Sequence, residues 1–223
     1  MVLQMKFQES LNAYLLENYS DIRHIYNWPF STKNFPLEYS NDSKNSYQNS
    51  LDLRKFIHNE IKNNSEVSGA LQAWYVRDWG GVRTNKQVTL DKYIGMSSDN
   101  LVDRGEKGIA SWSKMLSVRD PRKYVIYDAR VAMSLNTISL IKSEGSTLFF
   151  PQLSSRNKNI RNAQALVDMK AKSEHLAVSH YFYREYLKLL NEAVKQCGNK
   201  FDIQTAEMVL FANAENLASY WKS

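Results

Sequence analysis

Apolar residues recur at helical rather than alternating spacing along nearly the whole chain. Met5, Leu11, Leu15 and Leu16 predict a first helix over residues 5–18, a lid or brace that ends between Asn18 and Ser20. From Trp28 to Ser50 two prolines and many Asn, Ser, Tyr and Lys residues interrupt the pattern. This predicts an irregular connection pinned to the body by Trp28, Phe30, Phe35, Tyr39 and Tyr47. Periodicity resumes at Leu51, with Leu53, Phe56, Ile57 and Ile61 on one face up to a stop at Asn63-Asn64-Ser65. A further helix is expected over Glu66 to Val76, broken at Gly80 and Gly81, with Asn85 in a turn. A short helix capped by Ser97 or Ser98 then turns Leu101 and Val102 inward and meets a turn at Gly105.

In the second half, Val131, Leu135, Ile138 and Leu140 or Ile141 predict a helix from Ala129 to Lys142, ended by Glu144-Gly145-Ser146. The stretch FFPQLSSRNKNIRN reads as a loop, and Ala163 to Lys195 as two helices. The second of these carries a stripe of Tyr183, Tyr186, Leu187, Leu190 and Val194 and stops at Cys197-Gly198-Asn199-Lys200. A last amphipathic helix runs from Ile203 to Trp221. Period-two alternation is scarce and no repeat is present, so the expected fold is mainly α, one helical unit over residues 1–223 with irregular, non-bundle packing.

Composition narrows this picture. The 29 Lys and Arg against 23 Asp and Glu give +6 and a pI near 9.2, which raises the question of an anionic partner. The charge is unevenly placed: residues 104–123 hold Arg104, Lys107, Lys114, Arg119, Arg122 and Lys123 against Glu106 and Asp120 alone. Arg156, Lys158 and Arg161 form a second basic run without an acid. Cys197 is the only cysteine, which excludes an intrachain disulfide, a four-cysteine iron-sulfur cluster and a cysteine-built zinc site. His58, His175 and His180 are dispersed without metal-ligand spacing, so neither metal nor cofactor is expected. The N-terminus lacks the apolar core of a signal peptide, and no apolar run approaches the ~20 residues of a membrane span. The expectation is a soluble, cytoplasmic monomer.

Candidate chemistry concentrates in residues 98–142. On a helical wheel Ile109, Trp112, Met115 and Leu116 fall on one side, which predicts the core-facing flank. Lys107, Ser111 and Lys114 fall opposite, presenting amines and a hydroxyl or simply meeting solvent. The turn Arg104-Gly105-Glu106-Lys107-Gly108 offers backbone N–H groups at a helix N-terminus, a place for a phosphate. The apolar run Tyr124-Val125-Ile126-Tyr127 delivers Asp128 to the start of the next helix, as a cap, a reactive carboxylate or both. Trp74 and Trp79, beside Arg77 and Arg83, form either a stacking surface for bases or an aromatic cluster that closes the core.

GIASWSKMLS, a short loop and YVIYDARVA together resemble the helix-hairpin-helix DNA glycosylase superfamily, closest to its bacterial 8-oxoguanine DNA glycosylase-like branch. The likeness covers about 35 residues and elsewhere rests on helical character alone. It implies a helical fold of two lobes around a cleft, acting without cofactor on double-stranded DNA from which a modified base is flipped. Asp128 matches the aspartate that faces the target sugar, and Lys107 or Lys114 the nucleophilic lysine of members that also cleave the strand. DNA contacts would come from Arg104, Gly105, Gly108, Ser111, Arg77, Arg83, Arg156 and Lys158, and the base pocket from Trp74 or Trp79. The chain departs from the family in its hairpin, where VDRGEKG replaces the usual leucine-proline-glycine-x-glycine pattern, and its single cysteine excludes the cluster-bearing branch. A nucleophilic lysine must shed its proton, and Lys107 and Lys114, roughly 10 Å apart by helical rise, have little direct effect on each other. Two further readings fit the same residues: a non-catalytic helix-hairpin-helix DNA-binding module, and a helical protein whose basic face binds an acidic protein. The spacing of residues does not name the base, nor decide between genome repair and attack on modified phage DNA.

Overall fold

Residues 2–40, 45–142, 148–173 and 181–221 are described by the computed structural model, and among them the chain is mainly helical without a strand. Helix α1 (Val2–Asn18) leads through a short turn into α2 (Ile22–Ile25). An irregular connection follows, and α3 (Ser46–Asn63) then pairs with α4 (Ser65–Trp74), which widens into a π-helical turn over Tyr75–Trp79. Next come α5 (Gln87–Ile94), α6 (Ser98–Val102), α7 (Ile109–Arg119) and α8 (Ala129–Thr137), the last continued by a π-helical turn, Ile138–Lys142. Helices α9 (Lys158–Ser173), α10 (Phe182–Gln196) and α11 (Ile203–Ala218) complete the chain.

At the centre, α8 and α11 pack against each other more extensively than any other pair. Ala132, Ala206 and Ala214 are buried and small, so the two backbones approach closely enough for Ser134 Oγ to donate to the Leu210 carbonyl at 2.6 Å. Val131, Leu135, Val209 and Leu210 fill the surrounding core, each contributing about 1.5–3 kcal/mol by burial. Helices α1 and α10 close this core on one side, and α3, α4 and α7 pack together on another.

Helix α7 is enclosed nearly all round. Its apolar flank, Ile109, Trp112, Met115 and Leu116, is buried as the spacing predicts, with Trp112 edge-on to Tyr183 at 4.9 Å. The opposite flank is buried too, because Ser111, Ser113 and Ser117 are small enough for neighbouring elements to close over it. The run Tyr124–Tyr127 is extended and buried, yet no neighbouring strand pairs with it. Side chains do instead: Tyr183 Oη donates to the Val125 carbonyl at 2.8 Å and Tyr186 Oη to that of Ile126 at 3.1 Å. Ser113 Oγ accepts from Tyr127 N–H at 3.1 Å. A buried backbone left without such partners would cost about 1–3 kcal/mol per group, so these contacts fix the run that carries Asp128.

Several boundaries differ from the sequence reading. Helix α3 begins at Ser46, five residues before the periodic stretch, because Asn45 caps it by accepting from Gln48 N–H at 2.9 Å. Helix α5 was not expected; it buries only Leu90 and Tyr93 and leaves Val88 exposed, too weak a stripe to recognise. The expected loop through Asn162 ends earlier, since Asn157 Oδ1 accepts from Ile160 N–H and starts α9 at Lys158. Leu16 is exposed rather than inward. The stop at Glu144-Gly145-Ser146, and His175 and His180, lie outside the described residues. No described helix is long and apolar enough to cross a membrane, and no group of metal-ligating side chains occurs among the described residues.

Candidate active site

Between α6 and α7 the chain passes through a run of turns, residues 103–108. Ser97 caps α6 by accepting from Asn100 N–H, and within the turns Gly105 and Gly108 are both left-handed at φ 61° and 79°. Gly108 is also a point of close approach: a Cβ there would lie 2.0 Å from Tyr93 Oη. Lys107 stands exposed on this turn, and its carbonyl accepts from Trp112 Nε1 at 3.2 Å. Arg104 lies over the Tyr93 ring, Cζ 5.1 Å from its centroid.

One helical turn pair further along, Lys114 is only 4 % exposed. Its ammonium donates to the Ala110 carbonyl at 2.9 Å, and among the described residues it forms no ion pair. Burial lowers its proton affinity below that of an ordinary lysine, an effect opposed by the charges of Asp128 and Glu207 and reinforced by Arg54. The position of Asp128 follows from the clamped run before it: it caps α8, Oδ1 accepting from Arg130 N–H at 2.9 Å and Val131 N–H at 3.1 Å. Both bonds fall on Oδ1, and among the described residues Oδ2 has no hydrogen-bond partner.

Lys114 and Asp128 line one open cleft of about 480 Å3. Its walls come from the Gly80–Arg83 turn, the first half of α7, the head of α8, the Leu153–Asn157 segment, Trp28 and Phe211. Trp28 and Phe211 meet edge to face at 5.4 Å, and Trp28 is anchored by Nε1 donating to the Trp79 carbonyl at 3.0 Å. Adjoining this cleft, and sharing Trp28, Gly80, Lys114, Asp128 and Phe211 with it, a small cavity of about 20 Å3 is also lined by Trp79 and Glu207. Glu207, on α11, is buried and held by Arg54 of α3, Nη1 to Oε2 at 2.7 Å. Arg54 Nε in turn donates to Tyr75 Oη at 2.8 Å. Burial raises Glu207 toward the protonated form, a tendency the Arg54 charge opposes.

The predicted residues therefore separate. Lys114, Asp128, Arg83 and Arg156 meet at the cleft, Arg156 bonded to the Gly81 carbonyl. Lys107 does not share a pocket with Asp128. Ser111 is buried, its hydroxyl accepting from Asn85 Nδ2. Trp74 packs 4.6 Å from Phe35 with Nε1 on the Lys33 carbonyl and, with Arg77 and Arg83, lines a groove separate from the cleft. Trp79 is buried and stacked on Tyr75 at 4.3 Å, behind the cleft rather than in it. Arg77 bonds to Gln87 and, with Arg83, lines a separate groove of about 900 Å3 that holds neither Lys114 nor Asp128. Lys158 is exposed at the head of α9. Arg119, counted in the basic stretch, is consumed structurally: it donates to the carbonyls of Tyr93, Ile94 and Met96, closing the end of α5.

Sequence reasoning missed Glu207, Arg54, Gly80 and Phe211. The available signal was a charged residue at a core position: Glu207 sits between Ile203, Ala206, Leu210 and Ala214 on the buried stripe of α11, and Arg54 beside Leu53 and Ile57. Comparison with known protein families, curated proteins and solved structures found no match.

Proposed function

We propose that the chain is a DNA N-glycosylase with strand-cleaving lyase activity, in which Lys114 is the nucleophile and Asp128 the carboxylate facing the sugar. The observation that carries this reading is the meeting, in one cleft, of a helix-capping carboxylate with a buried amine that has no ion pair among the described residues. A buried ammonium is costly and loses its proton more readily than an exposed one. Such an amine is fit for attack on an electrophilic carbon. In this reading the helix-hairpin-helix resemblance extends to the whole arrangement, two lobes around the cleft, with the exposed Lys107 and Gly108 of the turn before α7 taking a phosphate, while Gly105 is buried behind them.

A modified nucleotide flips out of the duplex at a cost of a few kcal/mol. Its base lies against Trp28 and Phe211, and Arg83, Arg156 and Arg130 hold the flanking phosphates. Arg130 is partly engaged by Glu215 at 2.8 Å and lies over Phe211. Asp128 stabilises positive charge on the sugar as the glycosidic bond lengthens. Lys114 then attacks C1′, and the C1′–O4′ bond of the sugar opens, its electron pair on O4′ taking a proton from the lysine nitrogen, to give the Schiff base from which strand cleavage follows.

The test is a panel of duplexes, each with one modified base, scored for abasic sites and for strand cleavage. Asp128→Asn should abolish base release while keeping DNA affinity. Borohydride should trap a covalent complex with wild type and with Lys107→Gln but not with Lys114→Gln. Absence of base release and of trapping across the panel would sink the proposal, leaving a non-catalytic DNA-binding module.

A further inference from the structure

We propose that Glu207 is the proton acceptor for Lys114, working across the small cavity that the two line; the inference rests on the reading of Lys114 as nucleophile. Three observations converge. The cavity, about 20 Å3, is large enough for a single water, which needs roughly 10–15 Å3 of such volume and two to four polar partners. Lys114, Asp128, Glu207 and Trp79 all line it. Trp79 Nε1 is buried without a hydrogen-bond partner, a donor that requires an acceptor. One water meets these demands together: it accepts from Trp79 Nε1 and Lys114 Nζ and donates to a carboxylate.

Of the two carboxylates, Asp128 has Oδ1 already committed to two backbone N–H groups, and its charge serves the sugar. Glu207 is free for proton traffic. Arg54 fixes its Oε2, and burial brings the proton affinities of Glu207 and Lys114 toward each other, raising the first and lowering the second. The charged and titratable groups facing this pair are Asp128 from the head of α8, Arg54 from α3, Tyr26 from the segment after α2, and Tyr75 from the π-helical turn. Both phenols are held protonated by burial, which leaves Glu207 as the acceptor.

The proton balance closes. Lys114 gives one proton through the water to Glu207, and its freed lone pair forms the bond to C1′. The bond from C1′ to the base breaks with its electron pair going to the base nitrogen, which takes up the proton that Glu207 releases. Glu207 returns to a carboxylate; the C1′–O4′ bond then opens to the Schiff base, O4′ taking one of the two protons on the lysine nitrogen, and water adding across the C=N bond later releases Lys114.

The experiment is borohydride trapping of the full chain on a duplex carrying an abasic site, measured from about pH 6 to about pH 10, with DNA affinity followed by fluorescence anisotropy. For Glu207→Gln, trapping at neutral pH should fall by about 100-fold and recover as solvent hydroxide removes the lysine proton at alkaline pH, with affinity unchanged. Trp79→Phe keeps the stack on Tyr75 but deletes the indole N–H, and should show a several-fold loss with the same alkaline recovery; it carries the test if Glu207→Gln does not fold. A wild-type pH profile in either folded variant overturns the proposal, as does a Glu207→Gln optimum moved to lower pH, which would mean that Glu207 merely keeps Lys114 charged. Failure of wild type to trap at any pH instead removes the nucleophile reading beneath it.

Discussion

Gly80 lies directly against the aliphatic stem of Lys114: a Cβ at position 80 would fall 2.5 Å from Lys114 Cδ and 2.7 Å from Cε. The π-helical turn Tyr75–Trp79 ends at this glycine, whose N–H donates to the Tyr75 carbonyl at 2.9 Å. The wide turn thus brings backbone, not side chain, onto the lysine. Gly80→Ala should displace the lysine, and because the Val76 carbonyl also lies 2.8 Å from the added methyl, the backbone must shift as well. A loss of about 1–3 kcal/mol in denaturant unfolding is expected, together with weaker borohydride trapping.

Lys114→Met should separate stability from activity. It replaces a buried ammonium with an apolar chain of similar length, so trapping is lost while stability rises by about 1–2 kcal/mol at neutral pH. The sign of the pH effect follows from the lowered proton affinity of the folded-state lysine. Between that lowered value and the ordinary 10.5 the unfolded chain binds more protons than the folded one, so wild-type stability rises with pH across that window. The advantage of Lys114→Met should therefore shrink as pH rises toward 10.5, measured by urea unfolding in a pH series.

Arg54 and Glu207 form a buried pair at 2.7 Å, and the loss of one partner should cost more than the loss of both. Arg54→Met leaves Glu207 buried and alone, a cost of about 3–5 kcal/mol. Loss of Arg54 raises the proton affinity of Glu207 further above its already raised wild-type level, so the penalty should grow with pH above that wild-type level, where the folded variant keeps a proton that the wild type and the unfolded chain have released. Adding Glu207→Leu should return most of the loss. A double-mutant cycle in guanidinium unfolding would measure the coupling; additive single effects would refute it.

In the turn before α7, Gly108 combines φ 79° with a Cβ position only 2.0 Å from Tyr93 Oη and 2.9 Å from its Cζ. Gly108→Ala should destabilise by about 1–2 kcal/mol from the left-handed backbone alone, and by more from the collision. Adding Tyr93→Ala should relieve the second part but not the first, which thermal unfolding of the two variants would resolve.

The helices were legible where one flank is apolar and the other meets solvent, as in α10 with Tyr183, Tyr186 and Leu190. Asp128 was legible for a different reason: an apolar run followed by a capping residue is a local signal, and the structure puts the side chain on the first turn of α8 as that signal requires. The wheel failed on α7 because it ranks positions by direction but does not see what lies beyond them. Ser111 and Lys114 point away from Trp112, yet that flank is closed by α3, α4 and the π-helical turn. The site's remaining parts are non-local. Trp28, Gly80 and Phe211 come from three distant stretches, and no periodicity links them.

The anchoring of Trp28 to the Trp79 carbonyl has a consequence for how the chain is cut. A fragment starting at α3 would retain Lys114, Asp128, Arg54 and Glu207, every charged group of the reaction proposed, and with them the turn before α7. It would lack Tyr26 and Trp28, and with them one aromatic wall of the cleft and part of the lining of the small cavity beside Lys114. The amine would then be hydrated and held as an ordinary ammonium, so these two aromatics function as the solvent barrier of the site rather than as an appendage to it.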